Sequence, residues 1–287
     1  MFASNKKPIF IGTEIYSRFA LNKTDLENAL VSGLKDNFLG VDSAECYGAG
    51  FSEKVIGDFF SNEQSNFLIA TKFGHVQKQN TLQDSFTVDS VERQLKSSLQ
   101  NLQRNSIDIY YFHSGSNEHF LQPDMWNFLQ HQKSMGVIKN LGLSLKHDLV
   151  KNRDYIQINK ASGYEISVVQ TVLNPLHQHS LDYVIQAARS SGITVVGRMP
   201  LAKGLIPKMS LEDLEEIIMP NPHVKDLITN YWHKFNLGDK SLVDAIKIGL
   251  TLNWCLQKVD AVVMAHNSAE QLKMNSRVFE AILFAED

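Results

Sequence analysis

Residues Leu39 to Gly57 read LGVDSAECYGAGFSEKVIG: a short β-prone run ending in Asp42, a loop carrying Tyr47 between glycines, and a helix opening near Ser52. A strand that leads through a loop into a helix is the repeating unit of parallel α/β proteins, because a parallel neighbour is reached only by a long crossover. Such sheets do their chemistry at the carboxyl ends of their strands, which is where Asp42 and Tyr47 fall. Taken singly, the residues have plainer readings: Gly48 and Gly50 in a tight turn, Ser52 as a helix cap, Asp42 as a solvated strand end. The dinucleotide fingerprint is discarded, because Gly48-Ala49-Gly50 is followed by Glu53 where its third glycine belongs.

The same grammar extends in both directions. Upstream, Ile9 to Ile11 form a strand followed by Gly12-Thr13, and Thr24-Asp25-Leu26-Glu27 is a capping box opening a helix through Leu30 and Leu34. Downstream, Phe67 to Lys72 is an apolar run suited to a strand buried on both faces, and after a polar loop Val88, Val91, Leu95, Leu99 and Leu102 fall at helical spacing. Further strands are expected at Ile107 to His113, Asn140 to Ser144, Ser167 to Gln170, Thr194 to Arg198 and Ala261 to Met264. Helices are expected at Met125 to Met135, Leu181 to Arg189, Leu211 to Ile218, His223 to His233, Ser241 to Leu256 and Ala269 to Phe284. Eight units running in one direction predict a parallel sheet closed on itself, a (β/α)8 TIM barrel of one domain over residues 1–287. An open doubly wound sheet is the alternative, since periodicity does not give strand order.

The 287 residues, 43% of them hydrophobic, suffice for a large core. A formal net charge of -3 and a pI near 6.4 leave no basic surplus for nucleic acid, so small molecules are the expected partners. Two cysteines, Cys46 and Cys255, make neither a disulfide framework nor a zinc set and fit a reducing cytoplasm. No signal peptide or membrane span is expected, so the protein is read as soluble and unprocessed. His177-Gln178-His179 lacks further ligands at metal spacing and reads as loop histidines. Cys46, beside Tyr47, is a candidate redox thiol or filler, and Trp232 and Trp254 read as core.

Four polar residues stand at or just past the ends of successive strands: Asp42 and Tyr47 after the second, Lys72 at the third, His113 at the fourth. In a barrel these ends converge. Together they make a proton donor: the Lys72 ammonium is expected to draw the tyrosine below its usual pKa near 10, Asp42 to keep Lys72 charged, and His113 to orient a carbonyl. Such a donor lacks a hydride source, which implies a nicotinamide cofactor.

The sequence D-S-A-x-x-Y-G-x-G-x-S-E-x-x-I-G, IATKFG around Lys72 and IDIYYFH around His113 resemble the aldo-keto reductases, and the similarity continues through GVIKNLGLS, QTVLN, VVGRMPLAKGLI and AEQLKMN. The resemblance implies a barrel with Tyr47 as general acid and Asp42, Lys72 and His113 completing its tetrad. It implies a cofactor, NADP(H) first and NAD(H) second, extended across the mouth against Gly12, Thr13 and Asp42. Ser144, Gln170 and Arg198 would lie near the nicotinamide, Leu201 and Gly204 on the pyrophosphate loop, and Gln271 and Asn275 at the adenine end. Three positions depart from the family's pattern. Leu145 replaces an asparagine, Arg198 a stacking aromatic, and Met264-Ala265-His266-Asn267-Ser268 lacks the usual base for a 2′-phosphate. The function expected is reduction of an aldehyde or ketone, or the reverse; a cofactor-binding sensing barrel with little turnover is the alternative. Substrate choice is expected from Ser114 to Pro123 and Gly204 to Asp239.

Overall fold

Runs rich in isoleucine, valine, phenylalanine and leucine become the strands, because β-branched and aromatic side chains fit a pleated surface packed on both faces. The computed structural model describes residues 6–18, 23–61, 66–78, 81–218, 222–266 and 269–283. Its strands are β1 (Lys7–Gly12), β2 (Phe38–Asp42), β3 (Leu68–Phe73), β4 (His75–Lys78), β5 (Thr81–Asp84), β6 (Ile109–His113), β7 (Leu141–Ser144), β8 (Ile166–Val172), β9 (Thr194–Arg198) and β10 (Ala261–Met264). Eight of them close in the order β1-β10-β9-β8-β7-β6-β3-β2, every pair parallel. This is the (β/α)8 barrel, and the open doubly wound alternative falls.

The inside of the barrel is filled by Phe10, Leu39, Ala70, Ile109, Tyr111, Val168, Val196 and Ala261. Its filling depends on one missing side chain. A Cβ at Gly142 would lie 2.3 Å from the Tyr111 ring, so glycine at that point of β7 is what lets a tyrosine occupy the axis. A second, larger core packs the outer strand faces against the helices, and Trp232 and Trp254 lie buried in it.

The helices Val88–Leu102 and Leu211–Ile218 have the expected ends, and those at Pro123–Ser134, Val184–Ser190, Pro222–Lys234 and Asp239–Leu256 differ only at their termini. Phe284, and Asn267 and Ser268 of the stretch lacking a base, lie outside the described residues. Three expectations are corrected. The first long helix starts at Lys23, so Thr24 lies inside it rather than capping it. The next runs from Phe51 to Phe60 with Gly50 as N-cap, and Ser52 is a buried helical residue facing Thr13 O at 3.5 Å. The polar stretch after β3 is an antiparallel hairpin, β4 with β5, that rises from the barrel's carboxyl end.

Candidate active site

Barrel register brings the polar strand ends to one level. Gly12 pairs with Asp42, His113 with Ser144, and Ser144 with Gln170. The Lys72 ammonium donates to Asp42 Oδ1 at 2.5 Å and to Ser43 O at 2.5 Å, and stands 3.5 Å from the Tyr47 hydroxyl and 5.0 Å from its ring centroid. Gln170 Nε2 donates to the other oxygen of Asp42 at 2.8 Å, and the Ser144 hydroxyl donates to Gln170 Oε1 at 3.2 Å. Asp42, 4% exposed, thus has one oxygen engaged from the neighbouring strand β3 and the other from β8 across the barrel. The Tyr47 and His113 rings meet edge to face at 6.0 Å.

The loop holding Tyr47 is set by its own chemistry. Gly48, Ala49 and Gly50 take left-handed φ of 64, 50 and 86°, a turn that brings the chain into the Phe51–Phe60 helix. A side chain at Gly50 would also strike the Asn101 amide. Behind the loop Glu53, fully buried, accepts from Thr71 Oγ1 at 2.6 Å and Asn101 Nδ2 at 3.2 Å, fastening the helix to β3 one residue before Lys72.

The tetrad opens into a cleft of about 1090 Å³ that all of the sequence-identified residues line: Asp42, Tyr47, Lys72 and His113 at one end, then Gly12, Thr13, Ser144, Gln170 and Arg198, then Leu201, Gly204, Gln271 and Asn275. It also includes residues that sequence reading missed, among them Glu14, Ile15, Asp244 and Ile248. His75, Gln77, Thr81 and Leu82 of the hairpin form a wall beside His113. Of the two stretches expected to choose substrate, Ser114 and Gly204 with Pro207 reach the cleft.

A family model described as "Aldo/keto reductase family" matches residues 8–287. The chain belongs to that family. Its members are oxidoreductases that use nicotinamide cofactors. This aldo-keto reductase is 23% identical over 269 residues to YqkF, named an uncharacterized oxidoreductase, of Bacillus subtilis, an alignment covering 91% of this chain and 83% of the relative. It is 31% identical over 175 residues to "Aldo-keto reductase yakc [NADP(+)]" of Schizosaccharomyces pombe, 58% of this chain and 48% of that one. Among solved structures, the holo form of an aldo-keto reductase from Bacillus halodurans superposes with a TM-score of 0.71 at 20% identity, covering 95% of this chain and 86% of that one.

Electrostatics corrects one expectation about this aldo-keto reductase. The Tyr47 phenol lies well above its usual pKa rather than below it: burial disfavours the phenolate, Glu14, Asp42 and Cys46 add to that, and Arg198 only partly opposes it. The two short bonds of Lys72 go to Asp42 and Ser43 rather than to the phenol, which stands 3.5 Å away. Burial, then the charges of Lys72, His75 and Arg198, hold the His113 imidazole well below its usual pKa, so it is neutral at pH 7. Its Nδ1 faces Cys46 Sγ at 3.8 Å. Burial pushes the Cys46 thiol up to about 12, against the redox-thiol reading, because the thiolate is the reactive form.

The cleft's residues fit a nicotinamide dinucleotide. The cleft's lining joins the tetrad to the polar side chains of Ser144, Gln170, Gln271 and Asn275. Where an aromatic was expected, Arg198 donates to Leu145 O at 3.1 Å, so the two departures from the family pattern are joined to each other. His177 and His179 stand with His147, at ring separations of 5.3 and 6.5 Å. Among the described residues no group of three or more His, Cys, Asp or Glu side chains is placed to hold a metal ion. Nor, among them, is any helix long and apolar enough to cross a membrane.

His266, two residues beyond β10, is 1% exposed and neither ring nitrogen has a hydrogen-bond partner among the described residues. Burial holds its imidazole down to about 4. Below the unfolded value near 6.5 the unfolded chain takes up a proton that the folded chain refuses. Stability present above pH 6.5 is therefore eroded as pH falls toward 4, by roughly 2 kcal/mol at pH 5. Thermal melts at pH 7 and pH 5 should show a smaller loss for His266→Phe than for the parent; equal losses would rule the account out.

Proposed function

We propose that this aldo-keto reductase reduces a small aldehyde or ketone to its alcohol, or runs the reverse, with Tyr47 as general acid and base. Carrying the reading is the convergence of the Tyr47 hydroxyl, the Lys72–Asp42 pair and a neutral His113 at one end of a single cleft. The nicotinamide, when bound, supplies or accepts the hydride. His113 donates a hydrogen bond to the carbonyl oxygen and fixes its position. Tyr47 passes its phenolic proton to that oxygen as the carbon gains hydride, so the carbonyl becomes a hydroxyl with charge balanced. Lys72 stabilises the phenolate that remains, its own position held by Asp42 and Ser43. In oxidation the proton returns to Tyr47.

NADP(H) is the first candidate cofactor, in keeping with the yeast relative's printed name, and NAD(H) the second. The residues at the adenine end narrow the difference. Ala265 and Gln271 carry no charge, and Glu270, which also lines the cleft, adds negative charge that disfavours a further phosphate. Titrating the protein with NADPH and NADH by tryptophan fluorescence should give dissociation constants within about a hundredfold of each other. A larger advantage for NADPH would refute the weakened selectivity. The tighter cofactor should then support turnover across a panel of small aldehydes; binding with no turnover anywhere on the panel would leave the sensing barrel as the better reading.

A further inference from the structure

Between β9 and the Leu211–Ile218 helix the chain runs along the cleft as a strap in which Met199, Ala202, Lys203 and Gly204 all take positive φ, of 59, 49, 55 and 85°. Three of these are not glycine, and a left-handed run of this kind persists only where its surroundings hold it. Its first end is held by Asn174 Nδ2, which donates to Met199 O at 2.9 Å, and its middle by the buried side chains of Ala202 and Ile206. Its far end is held by one cation. Lys247, in the Asp239–Leu256 helix, donates from Nζ to Pro207 O at 2.6 Å and Met209 O at 3.2 Å, and pairs with Asp244 Oδ1 at 2.9 Å.

Three donors meet three acceptors, so the ammonium of Lys247 is fully used although the residue is only 6% exposed. Burying a lysine is costly, and a methionine would fill the same space. What the lysine adds is a bond to each of two backbone carbonyls of the strap. Leu201, Lys203, Gly204 and Pro207 of the strap and Asp244 beside the lysine all line the cleft.

We infer that Lys247 is a positioning residue that latches the strap across the cofactor and so governs how fast the nucleotide leaves. The inference rests on the cofactor reading above. It acts through the loop and not on the reacting atoms, so it separates release from chemistry. Lys247→Met removes all three donors, while Lys247→Gln keeps an amide able to reach one carbonyl. Stopped-flow displacement of bound NADPH or NADH should show release quickening in the order wild type, Lys247→Gln, Lys247→Met, by about tenfold at the end of the series. Hydrogen exchange at amides 201–209 should quicken in the same order without nucleotide, with exchange in β2 and β3 unchanged as evidence that the barrel is intact. Equal release rates with unchanged strap exchange would overturn the inference while leaving the cofactor reading standing. A wild-type protein that binds neither nucleotide overturns the cofactor reading, and this inference with it.

Discussion

Tyr47→Phe is expected to lower turnover by about 10²–10⁴-fold, the usual worth of a positioned general acid, and to leave nucleotide binding intact. The substitution is clean here. A phenylalanine keeps the ring contact with His113 at 6.0 Å and the face presented to Lys72 at 5.0 Å, and loses only the hydroxyl. Raising the phenol above its usual value near 10 also fixes the pH behaviour. Reduction needs the protonated form and should not lose its acid below about pH 10, whereas oxidation needs the phenolate and should climb with pH through the same range. Steady-state rates in both directions from pH 6 to 10 test this; a reduction rate that falls away near neutral pH would show that another group supplies the proton.

The second large effect is on stability as well as rate. Lys72→Met leaves the Asp42 carboxylate buried without its cation, and losing one partner of a buried pair costs about 3–5 kcal/mol. Against a total of about 5–15 kcal/mol this is a large fraction, and for a chain this long it corresponds to a drop in melting temperature of roughly 6–20 °C. Turnover should be lost together with stability. Adding Asp42→Leu should recover most of the melting temperature and none of the activity, because the unpaired charge is then gone but the tetrad is not restored. If the single substitution melts like the parent, the Lys72–Asp42 pair is not what holds this end of the barrel together.

Much of this architecture was legible because strand ends are punctuated. Thr194 to Arg198 and Ala261 to Met264 match their strands residue for residue, since each is a β-branched run bounded by turn residues. Asp42, Lys72 and His113 were legible for a related reason: each is a polar residue closing an apolar run, a place where burial must have a purpose. The hairpin was not legible. HVQK and TLQD are polar and short, and their pairing is decided by contacts with Phe86, Gln94 and the barrel rim rather than by their own pattern. The direction of the Tyr47 shift was missed because spacing shows a neighbour's charge but not the depth of burial, which is the largest cause of the shift. Glu14 and Asp244 were missed because helices bring them to the cleft from positions with no motif around them.

The hairpin stands on a narrow base. Ser85 N donates to Gly74 O at 2.8 Å, and the Gln94 side chain receives from Gly74 N and gives to Ser85 O, closing the neck before the chain returns to its helix. Among the described residues no barrel strand pairs with it. The cleft therefore has a floor and a wall with different freedoms. Changes on the floor must satisfy barrel closure and a shared charge network at once, so they are tightly coupled. Changes on the wall need only preserve a three-residue neck, which makes this short ribbon the part of the molecule where a new preference can be acquired without renegotiating the old chemistry.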